Sequence, residues 1–355
     1  MGRGDHRYRA SQPKDIFKME EPMRVIIAKN GSKAQDTGAF ILEEQPIPEP
    51  KTRDLLVRIM AIGMNPVDTK VRQKSERDGV LGWDAYGIVT KIGDDVTGFS
   101  VGDKVFYAGD ITRPGCNSEY HLVDRRLVAL APKNLSPEDA VAMPLTSITA
   151  WEALFERLGF VPKAGVNNGK SILIIGGPGG VGSVAIQLAR WSGLKVFATA
   201  SRNATIDWCK KLGADVILNH SNNLYNELKA TGNASVDAIF CTTHMETHWH
   251  AMAECIRPQG RVVLIDDPIK ALDITIFKFK SVTISWEFMY TRSMFKTDDM
   301  SEQGRLLSMV AGLLDEGTLF TTRQKTLIGL TPENIRAMHI KQESKTMMGK
   351  QVLVL

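Results

Sequence analysis

The sequence predicts an α/β protein, a doubly wound parallel sheet preceded by a small barrel-like β domain. Three observations carry that expectation. The first is Ser171-Ile-Leu-Ile-Ile-Gly-Gly-Pro-Gly-Gly-Val-Gly182, a short apolar run that breaks into glycines. Directly behind it, Val181, Val184, Ala185, Leu188 and Ala189 fall on one face of a helix. The second is the alternation of short apolar runs with helical segments as far as residue 265, the rhythm of parallel βα units. The third is the β-rich first third, whose strands are punctuated by Gly-Asp turns.

Gly177, Gly179 and Gly182 give the G-x-G-x-x-G spacing between a strand and a helix, the context in which it binds a dinucleotide. Glycine allows a tight turn, close approach of a pyrophosphate and close packing of helix on strand. The helix N-terminus adds free N–H groups and the positive end of its dipole. Gly180 and Val181 complete the candidate phosphate loop, and Thr242, after a later strand, joins the candidate cofactor contacts. A purely structural turn is the alternative reading of the glycines.

Taken in order, the first 22 residues are polar and irregular, and a disordered tail is expected there. They lack the apolar core of a secretory signal, and His6 stands where a myristoylation signal needs Ser or Thr. Strands are expected at 24–28, 39–42 and 54–62, where Leu55, Val57, Ile59 and Ala61 alternate onto one face. Residues 63–70 read as a polar turn, and further strands are expected in 82–93 and 101–107. Ser136-Pro-Glu-Asp139 is a helix start, and 145–158 is a second helical segment. Behind the glycine loop, strands are expected at 195–200, 215–218, 236–241 and 261–265, with a helix over 205–212. Residues 273–289 read as a long β-prone segment that invites pairing with a second chain at a sheet edge, hence a homodimer. A helix over 303–315, another starting at Thr331-Pro-Glu-Asn334, and a strand at 350–355 close the chain.

Composition narrows the function classes. The 355 residues are 43% apolar and 24% charged, with a net charge of +4 and no long basic run, so no nucleic-acid partner is implied. No apolar stretch has the length of a membrane span. Cys116, Cys209, Cys241 and Cys255 are scattered without a C-x-x-C pair, which fits a reducing cytoplasm.

Several blocks together resemble the medium-chain dehydrogenases/reductases. They are Asn65-Pro-Val-Asp68, Gly82-Trp-Asp-Ala-Tyr-Gly87, Gly102-Asp-Lys-Val105, Pro144-Leu-Thr-Ser-Ile-Thr-Ala-Trp151, the glycine loop, Lys211-Leu-Gly-Ala-Asp215 and Gly349-Lys350. With Tyr107-Ala-Gly-Asp-Ile-Thr-Arg-Pro-Gly115, the chain is similar to the quinone-oxidoreductase-like branch and its "zinc-type alcohol dehydrogenase-like" proteins. The resemblance implies a GroES-like β-barrel domain from 23–150 and 321–355, with a Rossmann cofactor domain inserted at 151–320. The active site would then lie in the cleft between them.

The same resemblance bears on metal and cofactor. Where the zinc enzymes carry Gly-His-Glu this chain has Gly82-Trp83-Asp84, and Met64-Asn65 stands at the position of their first ligand cysteine. Catalytic zinc needs three N, S or O ligands plus an open position, so no zinc is expected. His244, His248 and His250 form a histidine-rich stretch, with pocket-lining, structural and metal readings all open. The second strand of the cofactor unit is followed by Ser201 and Arg202 rather than an acid, which suits the 2′-phosphate of NADPH, with a solvated surface charge the alternative reading of Arg202. His220 stands where many relatives place a tyrosine near that phosphate.

By resemblance, Asn65, Asp68 and Thr149 border nicotinamide or substrate. Lys70, Tyr86 and Tyr107 are candidate donors to a substrate oxygen, with a surface charge the alternative reading of Lys70 and a core aromatic that of Tyr107. The expected activity is zinc-independent, NADPH-dependent reduction of quinones or α,β-unsaturated carbonyls. A zinc alcohol dehydrogenase and a non-catalytic NADPH-binding sensor or scaffold are the alternatives.

Overall fold

The alternation of Leu55, Val57, Ile59 and Ala61 does form a strand with those four side chains buried, and the N-terminal half is assembled around it. The structure is a computed structural model that describes residues 21–355. The disordered tail expected over 1–22 therefore lies, but for Glu21 and Pro22, outside the described residues.

In chain order the first half comprises β1 (Met23–Ala28), β2 (Phe40–Gln45), β3 (Asp54–Gly63), α1 (Pro66–Lys74) and β4 (Gly79–Val80). It continues with β5 (Asp84–Ile92), β6 (Lys104–Tyr107), β7 (Tyr120–Asp124), β8 (Val128–Leu130), α2 (Pro137–Ala140) and α3 (Pro144–Trp151). Residues 63–70, expected as a turn, are instead the start of α1. Asn65 is its N-cap, Pro66 is pre-set for the first helical position, and the Asn65 amide donates to Asp68 Oδ2 at 2.7 Å. The helix expected over 145–158 is in two parts, α3 and a π-helical stretch over Glu152–Arg157.

The second half contains β9 (Ser171–Ile175), α4 (Gly180–Trp191), β10 (Lys195–Thr199), α5 (Asn203–Lys211), β11 (Val216–Leu218) and α6 (Leu224–Ala230). There follow β12 (Val236–Cys241), α7 (Met245–Cys255), β13 (Ile256–Leu264), β14 (Thr283–Trp286), α8 (Thr291–Phe295) and α9 (Glu302–Asp315). The strands pair in parallel in the order β11-β10-β9-β12-β13-β14, so the winding reverses between β9 and β12. Crevices at such switch points bind ligands.

The chain then returns through β15 (Arg323–Ile328), α10 (Pro332–Glu343) and β16 (Lys350–Val354). β16 pairs antiparallel with β3, completing the sheet β15-β16-β3-β5-β6-β8. That pairing brings Lys350 and Asn65, 285 positions apart in sequence, to one place.

Residues 273–289 are not one long strand. Ile274–Lys280 is a 3₁₀ helix, and only Thr283–Trp286 pairs with β13. Asp273 caps the helix at Thr275, and the Lys280 ammonium donates to the carbonyls of Ala253, Glu254 and Ile256. Phe277 packs edge-on against Trp249, whereas Phe279 is 98% exposed, so the apparent β alternation does not correspond to one buried face. Among the described residues no helix is long and apolar enough to cross a membrane, and the four cysteines are all buried and unpaired.

Candidate active site

The glycine loop lies at the switch point. A Cβ on Gly182 would meet the carbonyl oxygens of Gly176 and Gly177 at 2.2 and 2.7 Å, so helix and turn touch backbone to backbone. One on Gly177 would press Ala198 and Cys209 at 3.1 Å, the packing of loop on strand and helix. Gly179 has only the Gly176 oxygen within reach, at 3.4 Å, and its outer face is open. No side chain caps α4 at Gly179, which leaves its first N–H groups directed outward. Gly180 faces Thr146 and Lys350 of the other domain. Val181 packs partly buried beside it.

Thr242, at the end of β12, donates to Ile175 O at 2.8 Å and so ties the two strands that flank the crevice. Thr149 is buried, and its hydroxyl donates to Leu145 O at 2.9 Å within α3.

The candidate phosphate residues lie at the ends of β10 and β11. Ser201 Oγ is 3.1 Å from His220 Nε2. Arg202 caps α5 and is exposed, and its guanidinium makes no hydrogen bond or ion pair with another described residue. Burial lowers the His220 pKa, with His244 and Arg202 adding repulsion. His248 is pushed down to about 4 by burial, then by His220 and His244. His244 begins α7 in a left-handed conformation, with Nδ1 2.8 Å from Thr243 Oγ1, while His250 faces solvent. No group of three or more His, Cys, Asp or Glu side chains among the described residues is arranged to hold a metal ion.

At the domain junction the structure assembles a buried polar network. Lys350 Nζ donates to Met64 O at 2.7 Å, Asn65 Oδ1 at 2.5 Å and Asp84 Oδ2 at 2.9 Å. Asn65 Nδ2 donates to the same Asp84 oxygen at 2.8 Å, and the Leu145 amide donates to Asp84 Oδ1 at 2.7 Å. Each partner satisfies another, as a buried ion pair requires. Asp68 joins the network at the Asn65 amide. Its pKa is pushed up to about 7 by burial, against the Asn65 amide and the Lys350 charge. Its Oδ1 has no hydrogen-bond partner, although the Gly82 amide also leans on the carboxylate.

Asp84 and Lys350 were not among the site residues expected from sequence. Both stand within blocks that carry the family resemblance, yet nothing local marks Lys350 as buried, since it lies near the end of a polar stretch. Their meeting is a consequence of the β16–β3 pairing.

Lys70 and Tyr107 are not brought to this network. Lys70 Nζ pairs with Asp266 at 3.0 Å and Asp267 at 3.2 Å, linking α1 to the loop behind β13 across the domain boundary. Burial works against its charge, but the two carboxylates outweigh it and raise the pKa. Tyr107 is fully buried, with its hydroxyl 3.0 Å from His121 Nδ1 and the two rings stacked. Tyr86 is buried, and desolvation raises its pKa.

Comparison with known proteins accords with this architecture. Residues 51–133 match the alcohol dehydrogenase GroES-like domain, and residues 180–303 match the zinc-binding dehydrogenase family. A zinc-type alcohol dehydrogenase-like protein of Staphylococcus aureus is 41% identical over 333 residues, covering 93% of this chain and 99% of that one. The 2-methylene-furan-3-one reductase of Solanum lycopersicum is 38% identical over 209 residues, 54% of this chain and 51% of that one. Among solved structures, a putative zinc-dependent alcohol dehydrogenase protein from Rhizobium etli CFN 42 superposes with TM-score 0.90 at 47% identity, covering 94% and 98% of the two chains. With both family models matched and a relative 41% identical over nearly its whole length, the chain belongs to the zinc-type alcohol dehydrogenase-like proteins of the medium-chain dehydrogenase/reductase superfamily, and its fold is shared with quinone oxidoreductases.

Proposed function

We propose that this oxidoreductase transfers hydride from NADPH to quinones or α,β-unsaturated carbonyls without zinc. The observation that carries the reading is the position of the Lys350 ammonium. It occupies the acceptor atoms of Met64, Asn65 and Asp84, next to the positions where zinc enzymes of the superfamily hold their metal. The remaining donors suit zinc poorly. Asn65 offers an amide already bonded to Lys350 and Asp84, and Trp83 offers an indole. Cys116 has its thiol pKa raised by burial and its Sγ donating to Asp84 O at 3.3 Å.

The cofactor half of the proposal rests on fit. Gly179 leaves its face clear beside the uncapped start of α4, so the loop accepts a pyrophosphate through Gly177, Gly179, Gly180, Val181 and Gly182. Arg202 presents an unengaged guanidinium beside Ser201 and His220, suited to a 2′-phosphate. Bound NADPH would supply the hydride. Asn65, Asp68 and Thr149 would border the nicotinamide, with Asn65 held in orientation by Lys350 and Asp84. Lys70 is assigned to holding the domains together, and Tyr107 to the barrel core.

A homodimer and a cytoplasmic location belong to the same reading. β14 is the outer strand of its sheet, and Trp286 at its end and Phe288 just behind it are 51% and 46% exposed, a surface suited to a second copy. The names of several relatives favour a zinc-dependent alcohol dehydrogenase as the second reading.

One experiment separates them. Purified protein is analysed for metal, titrated with NADPH and NADH, and then assayed across a panel of quinones, enones and primary alcohols. NADPH oxidation by metal-free protein with quinones or enones is the expected result. Stoichiometric zinc with alcohol oxidation that chelators abolish would overturn it.

A further inference from the structure

Two buried hydrogen-bond donors at the domain boundary have no partner: the Trp83 indole Nε1 and the Tyr290 hydroxyl. Trp83 is 2% exposed and Tyr290 1%. Buried donors are rarely left unmade, because the lost solvation costs about 1–3 kcal/mol each. Both rings pack in the core, but two unmade donors on rings that touch point to an acceptor supplied from outside the chain.

The two rings meet edge to face with centroids 6.1 Å apart. They come from opposite domains. Trp83 immediately precedes β5 in the GroES-like domain, and Tyr290 immediately precedes α8 in the cofactor domain. The contact between them is therefore part of the interdomain boundary, and relative domain movement is what would admit a ligand between them. The Asp84 carboxylate next to Trp83 is already saturated by Lys350, Asn65 and Leu145, and Asp68 Oδ1, the nearby carboxylate oxygen without a partner, makes no hydrogen bond to either donor. Burial, with Asp68 and Asp84 nearby, holds the Tyr290 pKa well above its ordinary value, so the group remains a neutral donor.

We propose that Tyr290 and Trp83 together bind the carbonyl oxygen of the acceptor, doing with two hydrogen bonds what zinc does in metal-bearing relatives. This rests on the reductase reading above. As a hydride joins the electron-poor carbon of an enone, the C=C pair shifts toward the carbonyl carbon and the C=O pair onto oxygen. The two donors hold that oxyanion, and a solvent proton then completes the reduced product. A quinone oxygen is held in the same way. Donors aimed at a developing oxyanion in a dry site supply stabilisation specific to the transition state. Both are catalytic residues in the strict sense, since both touch the reacting group.

The test uses the full chain saturated with NADP⁺, which cannot deliver hydride, and the chromophoric enal 4-(dimethylamino)cinnamaldehyde. Hydrogen bonding at its oxygen moves the absorption of this push–pull chromophore to longer wavelength. The expected result is a red shift on binding to the wild-type protein that shrinks in Tyr290→Phe and in Trp83→Phe. Cofactor affinity should be unchanged in both variants. With NADPH and an enone substrate, kcat/KM should fall about 100-fold in Tyr290→Phe. Because Tyr290→Phe removes an oxygen that bonds to nothing in the protein, its melting temperature should hold or rise while activity falls. That combination is one a merely structural tyrosine would not give. If Trp83→Phe fails to fold, Tyr290→Phe alone decides. An unshifted spectrum for the wild type, no binding of the enal, or full shift and activity in Tyr290→Phe would each overturn the proposal. Absence of turnover with every acceptor would instead count against the reductase reading, and the spectral shift would still decide whether these donors bind a carbonyl.

Discussion

The Lys350 ammonium lies 2.9 Å from the Asp84 carboxylate, both side chains being almost wholly buried. The ammonium and Leu145 amide fix the carboxylate, and the ammonium in turn fixes Asn65. Removing one member should leave the other charge buried and unpaired. Lys350→Met is expected to destabilise the protein by about 3–5 kcal/mol. The double variant Lys350→Met/Asp84→Asn should recover a large part of that loss. Denaturant unfolding of the two single variants and the double variant measures the coupling. Additive losses would show that the two groups are not a pair.

Asp68 is a carboxyl whose folded-state pKa is raised to about 7 by burial. The unfolded chain loses this proton near pH 4. The folded state therefore holds more protons between those values, and the contribution of Asp68 to stability falls as pH rises through that window. Asp68→Asn, which keeps an oxygen for the Asn65 amide, should gain stability relative to wild type from pH 4 to pH 8. Melting temperatures of the two proteins at several pH values check this. A constant difference would refute the shift.

His121 behaves in the opposite sense. Burial holds its pKa down to about 4, and Tyr107 and Pro114 O occupy its two nitrogens. A depressed histidine contributes stability that is present above its unfolded pKa, near 6.5, and is lost as pH falls toward 4. His121→Gln should therefore lose less stability than wild type between pH 7 and pH 5, whatever its stability at pH 7. Thermal melts at the two pH values make the comparison.

The Arg202 guanidinium makes no hydrogen bond or ion pair among the described residues, so its replacement should affect the cofactor rather than the fold. Arg202→Ala is expected to weaken NADPH binding about 10- to 100-fold, the worth of a charge-assisted hydrogen bond, and to leave NADH affinity nearly unchanged. Titration by protein fluorescence measures both constants. Equal loss for both cofactors would remove Arg202 from the 2′-phosphate site.

The outer edge of β14 gives the fourth structural test. Trp286→Asp places a charge on the half-exposed apolar surface where a second chain is proposed to pair. Sedimentation should give a dimer for wild type at micromolar concentration and a monomer for the variant. A wild-type monomer would dismiss the interface.

The glycine turn between β9 and α4 was legible in the sequence because its requirements are local. Glycine spacing, the apolar run before it and the helical face after it lie within about twenty consecutive residues. Strand alternation at Leu55, Val57, Ile59 and Ala61 was legible for the same reason. Residues 273–289 misled because alternation of apolar side chains does not distinguish a strand from a short 3₁₀ helix whose Phe277 alone is buried. The turn expected at 63–70 became α1 because the cap at Asn65 and the proline behind it initiate a helix that composition alone does not reveal.

The sequence by itself determined the α/β class, the family and the glycine turn between β9 and α4, since each follows from neighbours along the chain. Only the tertiary structure decided that Lys350 sits between Asn65 and Asp84, that Lys70 bridges to Asp266, and that Trp83 meets Tyr290. Those relationships join residues far apart in the chain. They are set by the β16–β3 pairing and by the packing of one domain on the other, which no local pattern encodes.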